Sequence, residues 1–336
     1  MTPDASLLRT VASRSSSDSG VIDHDGRFVW AARLIAANEP ERARAILKEA
    51  IERTDASQVP GRIMIMAAVA DQELGRPPNE GLLTRLNARL AAGPERDVTP
   101  LWISAGRLLS NAGIFDEAEE AFDRAVGVAR AQEDPAAMVW AMREAAQVAV
   151  LRRRFAQANG LLEQGRQFSP TDELTLLLRL DEARIDALCN RWASAIAHLE
   201  ESLNLARTKL SPSHPFVDHT MISLAAARME LHGADATSRT LLDRALGIRL
   251  ARNKAADSPE IAEALLLLGE HHRLNGNIDD ALPLIGRAVA ARQTNNEDRV
   301  LLAHALLVWS RALDDKGMTD VARQKREMAI SMLPSP

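Results

Sequence analysis

The side chains with the chemistry to bind a metal or attack a substrate are few in this chain, and they are scattered. Glu270, His271 and His272 stand side by side. A zinc-binding helix instead spaces two histidines four apart on one face with a glutamate between them, so this triplet lacks metal-site spacing. His214 and His219 flank Pro215 in a stretch that reads as a link between helices, and no cysteine pair completes a ligand set. His214-Pro215 is better explained as the entry to the next helix. The lone Cys189 has no evident activating partner and reads as a structural thiol near a helix end. No glycine-rich phosphate loop is present, because the glycines fall at turns instead. These residues predict a non-enzymatic chain with no catalytic residues, no metal and no cofactor.

The glycines belong to a pattern that returns eight times. A turn residue at Asn38, Gly75, Gly113, Arg153, Asn190, Gly233, Gly276 and Gly317 has a small residue seven positions earlier, at Ala31, Ala68, Gly106, Ala146, Ala183, Ala226, Gly269 and Ser310. Recurrence of this kind marks a repeat array. Five residues after a turn come Ala43, Ala118, Ala158, Ala195, Ser238, Ala281 and Ala322, and twelve after come Ala50, Ala125, Gly165, Ser202, Ala245, Ala288 and Ala329. Between them stand Leu47, Phe122, Leu162, Leu199, Leu242 and Ile285. Each unit therefore reads as a helix, a tight turn and an antiparallel helix, with small positions of the two helices meeting where their ridges cross. Thr99-Pro100, Asp134-Pro135 and Ser258-Pro259 predict helix starts, where the polar residue caps free amides and proline is tolerated in the first turn.

Two units depart from the phase. In the second, Pro77-Pro78 adds a residue and moves the small positions to Gly81 and Ala88. In the fifth, Arg179, Glu182 and Asp186 occupy phases that should be buried, so either the phase is off by one or that helix is partly exposed. In the last unit Arg326 stands where Leu242 or Ile285 meets a following helix, as a polar terminal cap should.

Composition agrees with an array. Apolar residues make up 46% of 336, aromatics 3%, and tyrosine is absent, so the core must come from Ala, Leu, Ile, Val and Met, which favours helix. A net charge of −5 gives no general attraction to nucleic acid or an anionic membrane. A single cysteine fits a reducing compartment. No apolar run is as long as a membrane span and the N-terminus lacks the apolar core of a secretory signal, so a cytoplasmic protein is expected. Heavy Arg and Ala usage points to a GC-rich bacterial genome. Residues 1–25 are rich in serine and without periodicity, and are expected to form a disordered tail. Residues 26–336 are expected to form one repeat domain, because each unit needs only its neighbours.

Trp102, Ala105-Gly106, Leu109, Gly113, Phe115, Ala118, Phe122 and Ala125 resemble the signature of tetratricopeptide repeats, and Pro170 and Pro334 stand where that family often closes a unit. The runs from Ser213 to Val217 and from Arg244 to Arg249 resemble the longer kinesin-light-chain type. The resemblance implies an all-α fold, a right-handed α-solenoid of about eight helix-turn-helix repeats, with the first helices lining a concave groove. Projected onto this chain, the groove residues are Ile103, Arg107, Trp140, Arg143, Gln147 and Arg184, with Glu263, Glu270, His304 and Arg311 further on. Arg143 and Gln147 are four apart and share a face. Guanidinium groups hold carboxylates in bidentate fashion. Arg107, Arg143 and Arg184 are thus expected to take an acidic or C-terminal segment of a partner, unless they are solvated or internally paired beside Glu144 and Asp181. The Asn and Lys clamp of chaperone-tail binders in that family is missing, so chaperone binding is not expected.

The function expected is a scaffold or adaptor that binds another protein or peptide, as a monomer or weak homo-oligomer. A second reading is a regulatory or sensor module that controls a partner enzyme on binding a peptide. Recognition of single-stranded RNA needs a nearly constant period and a basic groove, and the chain has neither.

Overall fold

The computed structural model describes residues 24–37, 39–54, 59–76, 80–92, 98–252, 258–295 and 299–333. The expected tail lies outside them up to residue 23, as do Asn38, Pro77-Pro78 and Pro334. Sixteen α-helices and no strand are found among the described residues. Among those residues, no helix is long and apolar enough to cross a membrane.

The first compact unit, ending at Pro170, holds four helix pairs. They are α1 (His24–Ala36) with α2 (Pro40–Glu52), α3 (Gly61–Glu73) with α4 (Glu80–Ala92), α5 (Thr99–Asn111) with α6 (Phe115–Ala131), and α7 (Pro135–Leu151) with α8 (Phe155–Gln167). The second unit, from Thr171, holds four more. They are α9 (Asp172–Leu188) with α10 (Trp192–Lys209), α11 (Pro215–His232) with α12 (Ala236–Arg252), α13 (Pro259–Leu274) with α14 (Ile278–Asn295), and α15 (Arg299–Asp315) with α16 (Thr319–Met332). Within each unit every helix packs on the next, and the first helices of successive pairs also pack side by side. That second layer of contact makes a continuous row of α1, α3, α5 and α7 in one unit and of α9, α11, α13 and α15 in the other.

The turns are closed by backbone geometry. Gly75, Gly113, Arg153, Asn190, Gly276 and Gly317 all take positive φ, the left-handed conformation that ends a helix. In each case the turn residue donates to the carbonyl three back and the next residue reaches the carbonyl five back, as Gly113 N to Ser110 O at 3.0 Å and Ile114 N to Leu109 O at 2.9 Å. Glu133 adds one such turn, between α6 and α7. Gly233 differs, with φ 77 and ψ −177.

That difference corrects one assignment. Ala226 is only partly buried whereas Ala225 is fully buried, so α11 carries one residue more before its turn and Ala225 takes the small position. Gly81 and Ala88 are exposed as well; α4 packs through Leu82, Leu83, Leu86 and Leu90 instead. The small and large positions expected on the other second helices are all buried. Small does not simply meet small, however, because Gly106 faces Phe122 and Gly269 faces Ile285. Of the three predicted caps only Asp134 acts through its side chain, accepting from Ala137 N at 2.9 Å. Thr99 lies inside α5, where its hydroxyl donates to Gln132, and Ser258 makes no side-chain cap bond.

In the second unit, buried carboxylates lie against Arg and His side chains. Glu182 and Asp186 are 6% and 4% exposed, so neither expectation for the fifth unit holds: the phase is right and the acids are interior. Arg191 binds Asp186 at 2.6 Å, and the two nitrogens of His198 lie 3.5 Å from Glu182 and 3.6 Å from Asp186. Asp218, 1% exposed, is bound by Arg249 at 2.6 Å and by Arg252 at 2.7 Å, and Arg249 also reaches Glu263 at 3.1 Å. Arg326 is exposed and pairs with Asp314, which leaves the outer side of α16 polar at that position.

Candidate functional site

The residues nominated as a groove fall on the row of first helices. In the first unit α7 buries Ala145, Ala146, Val148 and Ala149 on its packing sides, which leaves Trp140, Arg143 and Gln147 half-buried along one stripe. On the adjacent α5 the stripe carries Ile103 and Arg107. Ile103 is 6% exposed and belongs to the hydrophobic core, so it presents almost no surface to a ligand. Arg107 is more open.

The charges of this stripe converge on one carboxylate. Arg107 Nη2 donates to Glu144 Oε1 at 2.7 Å, and Arg143 Nη1 lies 4.0 Å from the same oxygen. The Arg143 guanidinium also sits 5.4 Å from the centroid of the Trp140 ring, within cation–π range. Glu144 is therefore the internal partner that the sequence left open. Arg184 belongs to the second unit, where it is exposed on α9 beside half-buried Leu177 and Leu180 and exposed Leu188.

In the second unit the stripe on α13 and α15 is also paired. Glu270 accepts from Arg273 at 2.8 and 2.9 Å and lies 3.6 Å from Arg311, while Arg273 also reaches Asp315 at 2.7 Å. The hydrogen bond to Glu270 pushes the Arg273 pKa further above its usual value. Glu263 is drawn into the Arg249 cluster. His304 has a lowered pKa, first from partial desolvation and then from Arg292 and Arg311.

The remaining reactive side chains have structural work. His271 Nε2 lies 2.9 Å from Asp235 O, and His272 Nε2 lies 2.6 Å from Arg239. Partial burial and then the Arg239 charge lower the His272 pKa. His214 Nδ1 accepts from Phe216 N at 3.2 Å at the start of α11. Cys189 is the half-buried cap residue of α9. No group of three His, Cys, Asp or Glu side chains placed to hold a metal occurs among the described residues. The Asp218, Arg249 and Arg252 cluster escaped sequence reading because Asp218 on α11 and the two arginines on α12 are 31 and 34 residues apart, where spacing carries no signal.

No protein-family model matches the chain, and no curated protein matches it. Solved structures do. The apo form of the quorum sensor NprR from B. thuringiensis is similar at 12% identity and TM-score 0.66, over 98% of this chain and 92% of that one. A Rap protein complexed with competence and sporulation factor is similar at 14% identity and TM-score 0.53, over 91% and 94%. BtubC from P. vanneervenii shares 18% identity at TM-score 0.55, over 66% of this chain and 94% of its own. At such identities the likeness speaks for architecture, and with its turns and helix pairs it establishes that the chain has the tetratricopeptide-like repeat fold.

Proposed function

We propose that the chain is a non-enzymatic scaffold that binds a partner protein or peptide along its row of first helices. The observation that carries this reading is the stripe of Arg107, Trp140, Arg143 and Gln147, which joins cations, an amide and an aromatic face on two packed helices. Guanidinium forks recognise carboxylates, and a half-exposed Trp supplies the large contact area that anchors interfaces. Arg184 offers a guanidinium of its own on α9 of the second unit. On this reading the protein works in a bacterial cytoplasm, without nucleic acid or membrane, and residues 26–336 form one repeat domain.

A regulatory role is the second reading. It is favoured by the structural neighbours, one a quorum sensor and one solved with its factor bound. The two readings share a site and differ in what binding does to a third component.

The test is capture of partners by purified protein from extracts of the native organism, comparing wild type with Arg107→Gln plus Arg143→Gln. Glutamine preserves the helix and removes the charge without setting a second carboxylate beside Glu144. Loss of a discrete partner with an unchanged helical signal is expected. Identical capture by both proteins would reject this face.

A further inference from the structure

Glu144 sets a carboxylate of the protein itself against the Arg107 guanidinium. Its side chain is 14% exposed, while that of Arg107 is 39% exposed. Arg107 holds it through one bond only, from Nη2 to Oε1 at 2.7 Å, and Arg143 approaches that same oxygen at 4.0 Å. A guanidinium fork prefers two parallel bonds to one carboxylate, so the single bond is a weaker match than an external carboxylate taken in fork geometry. Releasing Arg107 would leave the largely buried Glu144 carboxylate short of counter-charge, so the exchange needs a segment that brings several carboxylates.

We propose that Glu144 is an internal counter-anion that gates the stripe, and that an acidic segment of a partner enters by exchanging its side-chain carboxylates for Glu144 at Arg107. The inference rests on the scaffold reading of this face. The guanidinium groups come from two helices, α5 and α7, so they suit a run of acidic side chains better than the single carboxylate of a chain terminus. Glu144 then sets selectivity in two ways. It keeps the cations from gathering weak anions, and it repels an acidic segment that cannot displace it. The Trp140 ring keeps the Arg143 guanidinium in place while the exchange occurs, since the two are 5.4 Å apart.

The experiment titrates full-length protein against a fluorescein-labelled oligoglutamate with an amidated C-terminus, followed by fluorescence anisotropy at low salt. Two further probes are an oligoglutamine of the same length with a free C-terminal carboxylate, and the same oligoglutamine amidated. Glu144→Gln keeps the side chain's size and its acceptor oxygen while removing the charge. It is expected to tighten oligoglutamate binding by about tenfold, a difference of the size a charged hydrogen bond supplies. Arg107→Gln in the Glu144→Gln background is expected to abolish that gain. Neither oligoglutamine should respond to Glu144→Gln.

Unchanged oligoglutamate affinity in Glu144→Gln, with binding still lost in Arg143→Gln, would overturn the gate and leave the scaffold reading standing. Binding indifferent to Glu144, Arg107 and Arg143 alike, or undetectable even in Glu144→Gln, would overturn the acidic-segment proposal, while the capture comparison decides the scaffold reading. A gain confined to the oligoglutamine with a free terminus would overturn the choice of side-chain carboxylates.

Discussion

A methyl group placed on Gly106 would lie 2.6 Å from Cε1 of Phe122. The same relation recurs where a methyl on Gly269 would lie 2.5 Å from Cγ1 of Ile285. The first helix thus gives up its side chain so that a large residue of the second can reach its backbone. Gly106→Ala is expected to destabilise by about 1–3 kcal/mol through overpacking. Phe122→Leu should recover part of that loss in a double-mutant cycle read by urea unfolding. Additive effects of the two substitutions would contradict the contact.

Gly127 is the matching control on α6, exposed and with no atom within 4 Å of the place a methyl would take. Gly127→Ala should raise stability by about 0.5–1 kcal/mol from helix propensity alone. Calorimetry that shows a loss there would mean that this surface is covered.

Gly233 has φ 77 and ψ −177, a region essentially closed to residues with a side chain. Gly233→Ala should cost about 1–3 kcal/mol. Arg153, at φ 57, occupies a left-handed turn that glycine tolerates better. Arg153→Gly should therefore be neutral or mildly stabilising, and thermal melts of both variants compare the two sites directly.

The turns were legible because glycine and asparagine advertise left-handed backbone, and the phase of alanines around them exposed the packing stripe. Arg153 was found only because the phase demanded a turn there. What escaped was set by contacts between helices. Ala225 rather than Ala226 is buried because the Gly233 turn is built differently, and Leu82 and Leu86 replace small residues in α4 without any local signal. Glu182 and Asp186 looked misplaced until His198 and Arg191, on and beside the next helix, supplied their partners. At the candidate site the stripe was readable from resemblance to known repeats. The pairing of Arg107 with Glu144 required the packed neighbour, and so did the burial of Ile103.

Asp235 links a turn to two helices. Burial opposes its charge, but the Ser238 backbone N–H at 2.7 Å and Arg228 at 2.8 Å outweigh that and hold its pKa at about 2, against 3.8 ordinarily. A carboxyl depressed on folding contributes stability that is present above its unfolded pKa and lost as pH falls from about 3.8 towards about 2. The contribution is at most about 2 kcal/mol. Asp235→Asn should flatten the acid limb of a stability profile measured by chemical denaturation over that window. A limb as steep as in wild type would assign the loss elsewhere.

Asp218 is 1% exposed between Arg249 and Arg252. Asp218→Asn leaves a buried guanidinium without its counter-charge and should cost about 3–5 kcal/mol. A shift in the urea midpoint too small for that range would show that Glu263 takes over the pairing.

Site-specific photo-crosslinking reports which face of the helix pairs a partner touches. A benzophenone amino acid at Gln147, on the row of first helices, is compared in living cells with one at Glu163, exposed on the second helix α8. A discrete crosslinked partner is expected from position 147 and none from 163. The same partner from both positions, or from 163 alone, would contradict binding along the first helices.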